Sequence, residues 1–447
     1  MDHSISMSLA EHPGGGILQK VAIAFMTLSL LFFMVFCANV VPVSDGLKLM
    51  LTFGLGSLAG VLYAIPIFAQ KPGIRNNHIM FDKLTGKGIP AYALGIFLTG
   101  FYIILYWFPW MMEGMIRAVD PLSNFLRGEK ADQWFLYGTM YTIAILVMGV
   151  RFIAKYRHSR YQVIRTISVM FFQLGFAWLL PSLLKLLNEP EFYFSYFWPL
   201  KYDYLFPGTV QGLISNGGIG VFMVFWGALM TIIVTPILTY YYGKRWYCSW
   251  VCGCGGLAET MGDPFRHLSN KSLRAWKIER ISVYSVLVFV IVTTVLLWVN
   301  SALEGSVLGG ASGIFSQVYG FLIGSIFAGV VGTGFYPIFG SRVWCRFGCP
   351  MAAILGIIQR FRSRFRITTN GGQCISCGNC STYCEMGIDV RWYAQKGQNI
   401  VRASCVGCGI CASVCPRGVL KLENLDYENR INSDPVMPGN KALKAKT

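Results

Sequence analysis

Charge is scarce in this chain. Only 13% of its 447 residues are Asp, Glu, Lys or Arg, where a soluble globular protein carries about a quarter. That excludes an ordinary water-soluble fold. Histidine is scarcer still: His3, His12, His78, His158 and His267 all lie outside the hydrophobic runs. Axial ligands for a membrane haem are therefore missing, and no haem is expected. The runs hold almost no acid or lysine, with Gln173 their main polar residue. Proton pumps usually carry ionisable groups there, so pumping is disfavoured. The first run has no basic segment before it and no small-residue cleavage site after it, which argues against a signal peptide. Phe36 stands where a lipidation motif needs a small residue, so Cys37 reads as an apolar filler.

Apolar sequence takes the place of charge. Hydrophobic residues make up 54% of the chain, and the mean hydropathy is +0.51. Eight runs are long enough to cross a bilayer as helices: Val21 to Val41, Leu47 to Phe68, Ala91 to Met112, Trp134 to Val150, Thr166 to Leu184, Gly218 to Tyr241, Ile281 to Val299 and Val318 to Phe339. The fourth is short and Pro181 interrupts the fifth. The expected fold is an all-α polytopic membrane domain of about eight transmembrane helices with a small C-terminal α+β domain.

The net charge of +17 points to topology rather than to nucleic acid, and no nucleic-acid partner is expected. Basic residues concentrate in alternate loops. The second loop has Lys71, Arg75, Lys83 and Lys87; the fourth has Arg151, Lys155, Arg157, Arg160 and Arg165. The sixth runs from Lys244 to Arg280 with seven such residues. The positive-inside rule then places the even loops and both termini in the cytoplasm. The expected location is a bacterial inner membrane, spanned several times.

Fourteen cysteines remain to be placed. On the cytoplasmic side thiols stay reduced, so ligation is favoured over disulfides. Eight of them form two runs, "CISCGNCSTYC" and "CVGCGICASVC", each Cys-x2-Cys-x2-Cys-x3-Cys. In this bacterial ferredoxin pattern the fourth cysteine of each run serves the other cluster. Cys374, Cys377, Cys380 and Cys415 are assigned to one [4Fe-4S] cluster, and Cys405, Cys408, Cys411 and Cys384 to the second. Zinc would usually show two separated Cys-x2-Cys pairs. One departure is Glu385, where the second run has Pro416.

A second repeat lies upstream. "GKRWYCSWVC" aligns with "GSRVWCRFGC", 97 residues apart from Cys248 to Cys345. Cys248, Cys252, Cys345 and Cys349 could form a shared metal centre, with Cys254 a weaker fifth candidate; structural thiols at helix ends are the alternative. An iron–sulfur centre is the first choice of occupant, because thiolates are soft ligands. In a shared site, Trp250 and Phe347 would wall off water, and Arg245 and Arg342 would balance thiolate charge or meet lipid headgroups.

The domain plan follows: residues 1–242 with spans one to six, and 243–367 with the repeat, spans seven and eight and an interfacial segment. The ferredoxin domain takes 368–425, and 426–447 is a polar tail expected to be disordered. In the interfacial segment Phe361 and Phe365 would enter lipid while Arg360, Arg362, Arg364 and Arg366 meet headgroups.

From Gly218 to Pro416, the Arg-x-aromatic-Cys-x3-Cys repeat followed by a ferredoxin domain resembles the membrane polyferredoxins of the NapH, NosR and CcoG type. The resemblance implies an electron-transfer subunit, quinol dehydrogenase-like in one branch. It would link a quinone or redox partner to a respiratory-type complex. The alternatives are a metal-handling or cofactor-assembly reductase and a mainly structural anchor subunit. The family motif is Cys-x3-Cys-Pro; Pro350 keeps it, but Gly253 and Cys254 replace it in the first copy. No Ser-Gly-Ala-Thr flavin-attachment run is visible, so no covalent flavin is expected.

Overall fold

The computed structural model describes residues 16–39, 41–68 and 88–426. The second loop's Lys71, Arg75, Lys83 and Lys87 and the tail after Asp426 lie outside them. The chain is mostly helical, with a small two-stranded sheet in its C-terminal part. Among the described residues, seven helices are long and apolar enough to span a membrane: Ile17–Cys37, Asp45–Pro66, Gln133–Tyr156, Arg160–Leu186, Gly218–Tyr242, Leu273–Ala302 and Ser312–Val331. The expected third span breaks at Phe108, and its parts Ala91–Trp107 and Pro109–Ala118 meet at 115°. Proline cannot donate the backbone bond that would continue the helix. Pro181, by contrast, does not interrupt the fifth span. The π-helical stretch Phe172–Leu179 lies just before it, and such a stretch re-registers the hydrogen bonds around a missing N–H.

Part of the basic charge read as loop charge is structural. Arg151 and Lys155 belong to the fourth span and Arg165 to the fifth, and all three are buried. Their partners are Asp263 and Glu259 in the segment after the sixth span.

Two segments fold back between the helices. After Tyr242 the chain turns inward, and Gly253 packs against Tyr196, Tyr141 and Gln173, midway along the fifth span. The loop between spans five and six enters from the other end. There Tyr247 donates to the Ser195 carbonyl at 2.9 Å. Thr231, midway along the sixth span, donates to the Trp198 carbonyl at 3.1 Å. The run "FYFSYFWP" from Phe192 has no charge, and that composition suits an interior loop rather than one in water.

The ferredoxin region caps the same end of the bundle as the fourth and sixth loops. Strands β1 (Phe365–Thr369) and β2 (Leu420–Asn424) pair antiparallel and bracket it. Of the alternating Phe/Arg segment, Phe361 and Arg362 are exposed, whereas Arg366 is buried and cannot meet headgroups. Phe365 is buried in β1 under Arg245, because strand periodicity turns it inward.

Candidate iron–sulfur sites

The two ferredoxin runs fold alike. Gly378 follows Cys377 and Gly409 follows Cys408, both left-handed (φ 80° and 73°), and each caps a four-residue helix that carries the third cysteine. The turn wraps three thiols around one point, and glycine adopts it without strain.

Two cavities result. One is lined by Cys374, Cys377, Cys380 and Cys415. The other is lined by Cys384, Cys405, Cys408 and Cys411. These are the two quartets expected from the sequence, including the exchanged fourth cysteines. Burial pushes the Cys380 thiol up to about 12 and Cys405 up to about 11. Such thiols stay protonated unless a metal displaces the proton.

The donor sets fit a cluster better than a single ion. Four sulfurs around one zinc at 2.3 Å would lie about 3.8 Å apart. Among the described residues, the ligand atoms that converge to within 4.8 Å belong to Glu259, Glu385 and Cys408, not to a cysteine quartet. That trio is itself no cation site, since Arg165, Arg266 and Arg342 already occupy its carboxylates.

The second cavity is held by the membrane part of the chain. Four successive carbonyls, of Cys405, Val406, Gly407 and Cys408, accept from Gln359, Ser249, Tyr161 and Gln162 at 2.8–2.9 Å. Sequence reasoning missed these four donors, because side chain-to-backbone bonds over such separations leave no pattern. The first cavity faces outward, and Cys377 is exposed.

The repeated pairs also come together. Cys248, Cys252, Cys345 and Cys349 share one buried cluster with Tyr247, Phe197 and Trp344. Cys248, Cys345 and Cys349 each lie near enough to others of the set, Cys252 included, to interact electrostatically with them. Cys252 and Cys349 occupy equivalent places, each at the N-cap of the following helix. Cys254 sits one residue into its helix, two residues on from Cys252. A Cβ at Gly253 would collide with the Tyr196 hydroxyl and Gln173, which explains the missing proline.

The expected walls and charges are partly different. Trp250 turns away to Tyr161, and Phe197, Tyr247 and Trp344 shield the thiols instead. Arg245 lies against Tyr161 and Phe365. Of the two expected arginines, Arg342 is the one that reaches the sulfurs, with Nη1 3.6 Å from Cys345 Sγ.

Family models match both regions. The 4Fe-4S dicluster domain matches residues 373–420. The 4Fe-4S binding domain matches 220–272 and 319–368, which hold the two Cys-x3-Cys copies. The chain thus carries 4Fe-4S binding domains on a multi-pass helical scaffold. It is 26% identical over 200 residues to "Putative electron transport protein YccM" of Escherichia coli (strain K12), covering 41% of this chain and 56% of that protein. The chain therefore spans about half the length of the curated relative it matches. No solved structure matches.

Between Cys345 and Cys384 lies a buried ionic network. Arg342 Nη2 binds Glu259 at 2.6 Å and Glu385 at 2.9 Å. Arg266 binds Glu259, Glu385 and Asp263 at 2.7–2.9 Å. With Arg151, Lys155 and Arg165, five bases face three acids. The positive excess suits a place between two anionic centres.

Proposed function

We propose that this protein is a membrane-bound iron–sulfur electron-transfer protein of the NapH, NosR and CcoG type. It links a quinone or redox partner on its membrane side to a respiratory-type complex. The observation that carries the reading is the succession of cysteine sets. The buried Cys248, Cys252, Cys345 and Cys349 come first. Arg342 and Glu385 lead from them to the Cys384, Cys405, Cys408 and Cys411 cavity. Cys411 in turn feels the charge of Cys380 in the outer quartet, which ends at the exposed Cys377.

A [4Fe-4S] cluster held by such a quartet supplies one-electron redox chemistry. The chain's own residues do the rest. The thiols hold each site, and Phe197, Tyr247 and Trp344 keep water from the inner one. Arg342 offsets its negative charge. Gln162, Ser249 and Gln359 fix the middle one, and the outer one is left accessible to a partner. The ferredoxin region belongs in the cytoplasm of a bacterial inner-membrane protein, where its thiols stay reduced.

The test is a redox titration of the full-length protein followed by EPR. Three iron–sulfur signals are expected. Replacing all eight ferredoxin cysteines should leave one signal, and Cys345→Ser should abolish it. Loss of all iron in the eightfold variant would return the inner cysteines to a structural role.

A further inference from the structure

A cleft of about 720 Å³ opens between the start of the seventh span, the helix after Cys349 and the ferredoxin region. Its walls carry Lys244, Lys271, Arg280, Arg346, Arg360 and Arg402, against only Glu279 and Asp389. Ligand pockets of this size are usually lined by apolar groups with few charges, so this excess needs an account.

Part of the charge has no counterpart. Arg346 is 4% exposed. Its Nε meets Glu279 at 2.7 Å and its Nη1 the Asn270 carbonyl at 2.7 Å. Its buried Nη2 has no hydrogen-bond acceptor among the described residues. Arg280 and Arg402 both stack on Trp276, 5.3 and 4.7 Å from the ring centre. Neither makes an ion pair among the described residues.

The cleft continues onto the outer face of the seventh span. Arg280 and Tyr284 also line an open groove along Ile281, Val288, Phe289 and Val292. Ile281 is 71% exposed and Val288 58%. A cationic chamber at one end of a span, leading to an apolar furrow down that span, has the polarity of one phospholipid molecule. A phosphodiester supplies acceptors for the guanidinium groups in either case; a zwitterionic headgroup adds a cation that cancels its charge, whereas an anionic headgroup leaves a net negative charge for the basic excess.

We propose that this cleft binds the headgroup of an anionic phospholipid, in the leaflet facing the ferredoxin region, with its acyl chains in the groove. The lipid would brace that region against the seventh span and cover Cys345, which also lines the cleft. The assignment needs only that the chain spans a bilayer; it does not depend on the direction or the partners of electron transfer.

Native mass spectrometry of the full-length protein tests it, with phosphatidylglycerol and phosphatidylcholine of identical chains. Phosphatidylglycerol should remain bound under conditions that strip phosphatidylcholine. Removing a basic residue near a membrane surface weakens anionic lipid binding about fivefold. Arg280→Gln should show that loss, and Arg280→Gln with Arg402→Gln about 25-fold. Arg280 is exposed, so the single variant should fold and load iron as before. Equal retention of the two lipids, unchanged affinity in the variants, or full displacement by inorganic phosphate would each overturn the assignment.

Discussion

Arg342 and Glu385 meet at 2.9 Å, both essentially without exposure to solvent. One side of this pair reaches Cys345; the other is the neighbour of Cys384 in the chain. Glu385 also receives Arg266 at 2.7 Å. The position where the second run has Pro416 is thus used to seat two arginines between two sets of thiols.

Glu385→Gln should therefore be costly. Removing one partner of a buried ion pair destabilises by about 3–5 kcal/mol, and here two guanidinium groups each lose one of their carboxylates, keeping Glu259. The apparent melting temperature in detergent should fall. The added positive excess should also raise the midpoint potential of the nearest centre, since it favours the electron-rich state. A variant with wild-type melting and an unmoved potential would show that the pair does neither.

Five thiols crowd the inner site, and the repeat says which matter. Cys252 and Cys349 hold equivalent helix caps, whereas Cys254 has no counterpart in the second copy. Cys254→Ser should keep the iron left after the eight ferredoxin cysteines are replaced, about four atoms for one cubane. Cys252→Ser in the same background should lose it. The reverse result would make Cys254 the ligand.

The sequence carried some of this plainly and some not at all. The three closely spaced cysteines of each run are legible because one turn must wrap three thiols; the exchange of Cys384 and Cys415 came from the ferredoxin pattern, and the two cavity linings have the same grouping. Long apolar runs reveal spans for a similarly local reason. The break at Phe108 and the continuity through Pro181 depend on neighbouring hydrogen bonds, so proline alone did not separate them. Arg151, Lys155 and Arg165 counted as loop charge because their acids, Asp263 and Glu259, lie about a hundred residues away in the chain. The re-entry of Phe192 to Pro199 had a signal in its uncharged aromatics.

The clamp on the Cys405–Cys408 loop separates the two ferredoxin sites. Gln162→Leu leaves the Cys408 carbonyl without its donor, and Ser249→Ala does the same for Val406. Each buried acceptor left unpaired costs about 1–3 kcal/mol. The double variant should lose the second cluster's EPR signal on mild oxidation while the first, outward-facing cluster survives. Equal loss of both signals would mean that the clamp does not single out the second site.

Asp263 offers a test by pH. It sits fully buried between Lys155 at 2.6 Å, Arg266 at 2.9 Å and Arg151 at 3.2 Å. Burial pushes its carboxyl up, but the three bases outweigh burial and hold it well below the usual range. A depressed folded-state value means that the ionised group stabilises the fold at any pH above its unfolded value of about 3.9. That contribution is lost as pH falls toward the folded value. Asp263→Asn removes the charge at every pH and leaves three buried bases facing a neutral amide. At pH 7 the variant should melt well below the wild type, by the equivalent of about 3–5 kcal/mol. Below about pH 4 the gap should begin to narrow, because Asp263 of the unfolded wild-type chain takes up a proton that the folded carboxylate does not. Melting curves of both proteins from pH 7 down to pH 3, followed by intrinsic fluorescence, read this directly. A gap that stays constant over that range would show that the Asp263 charge does not hold the fourth span to the segment after the sixth.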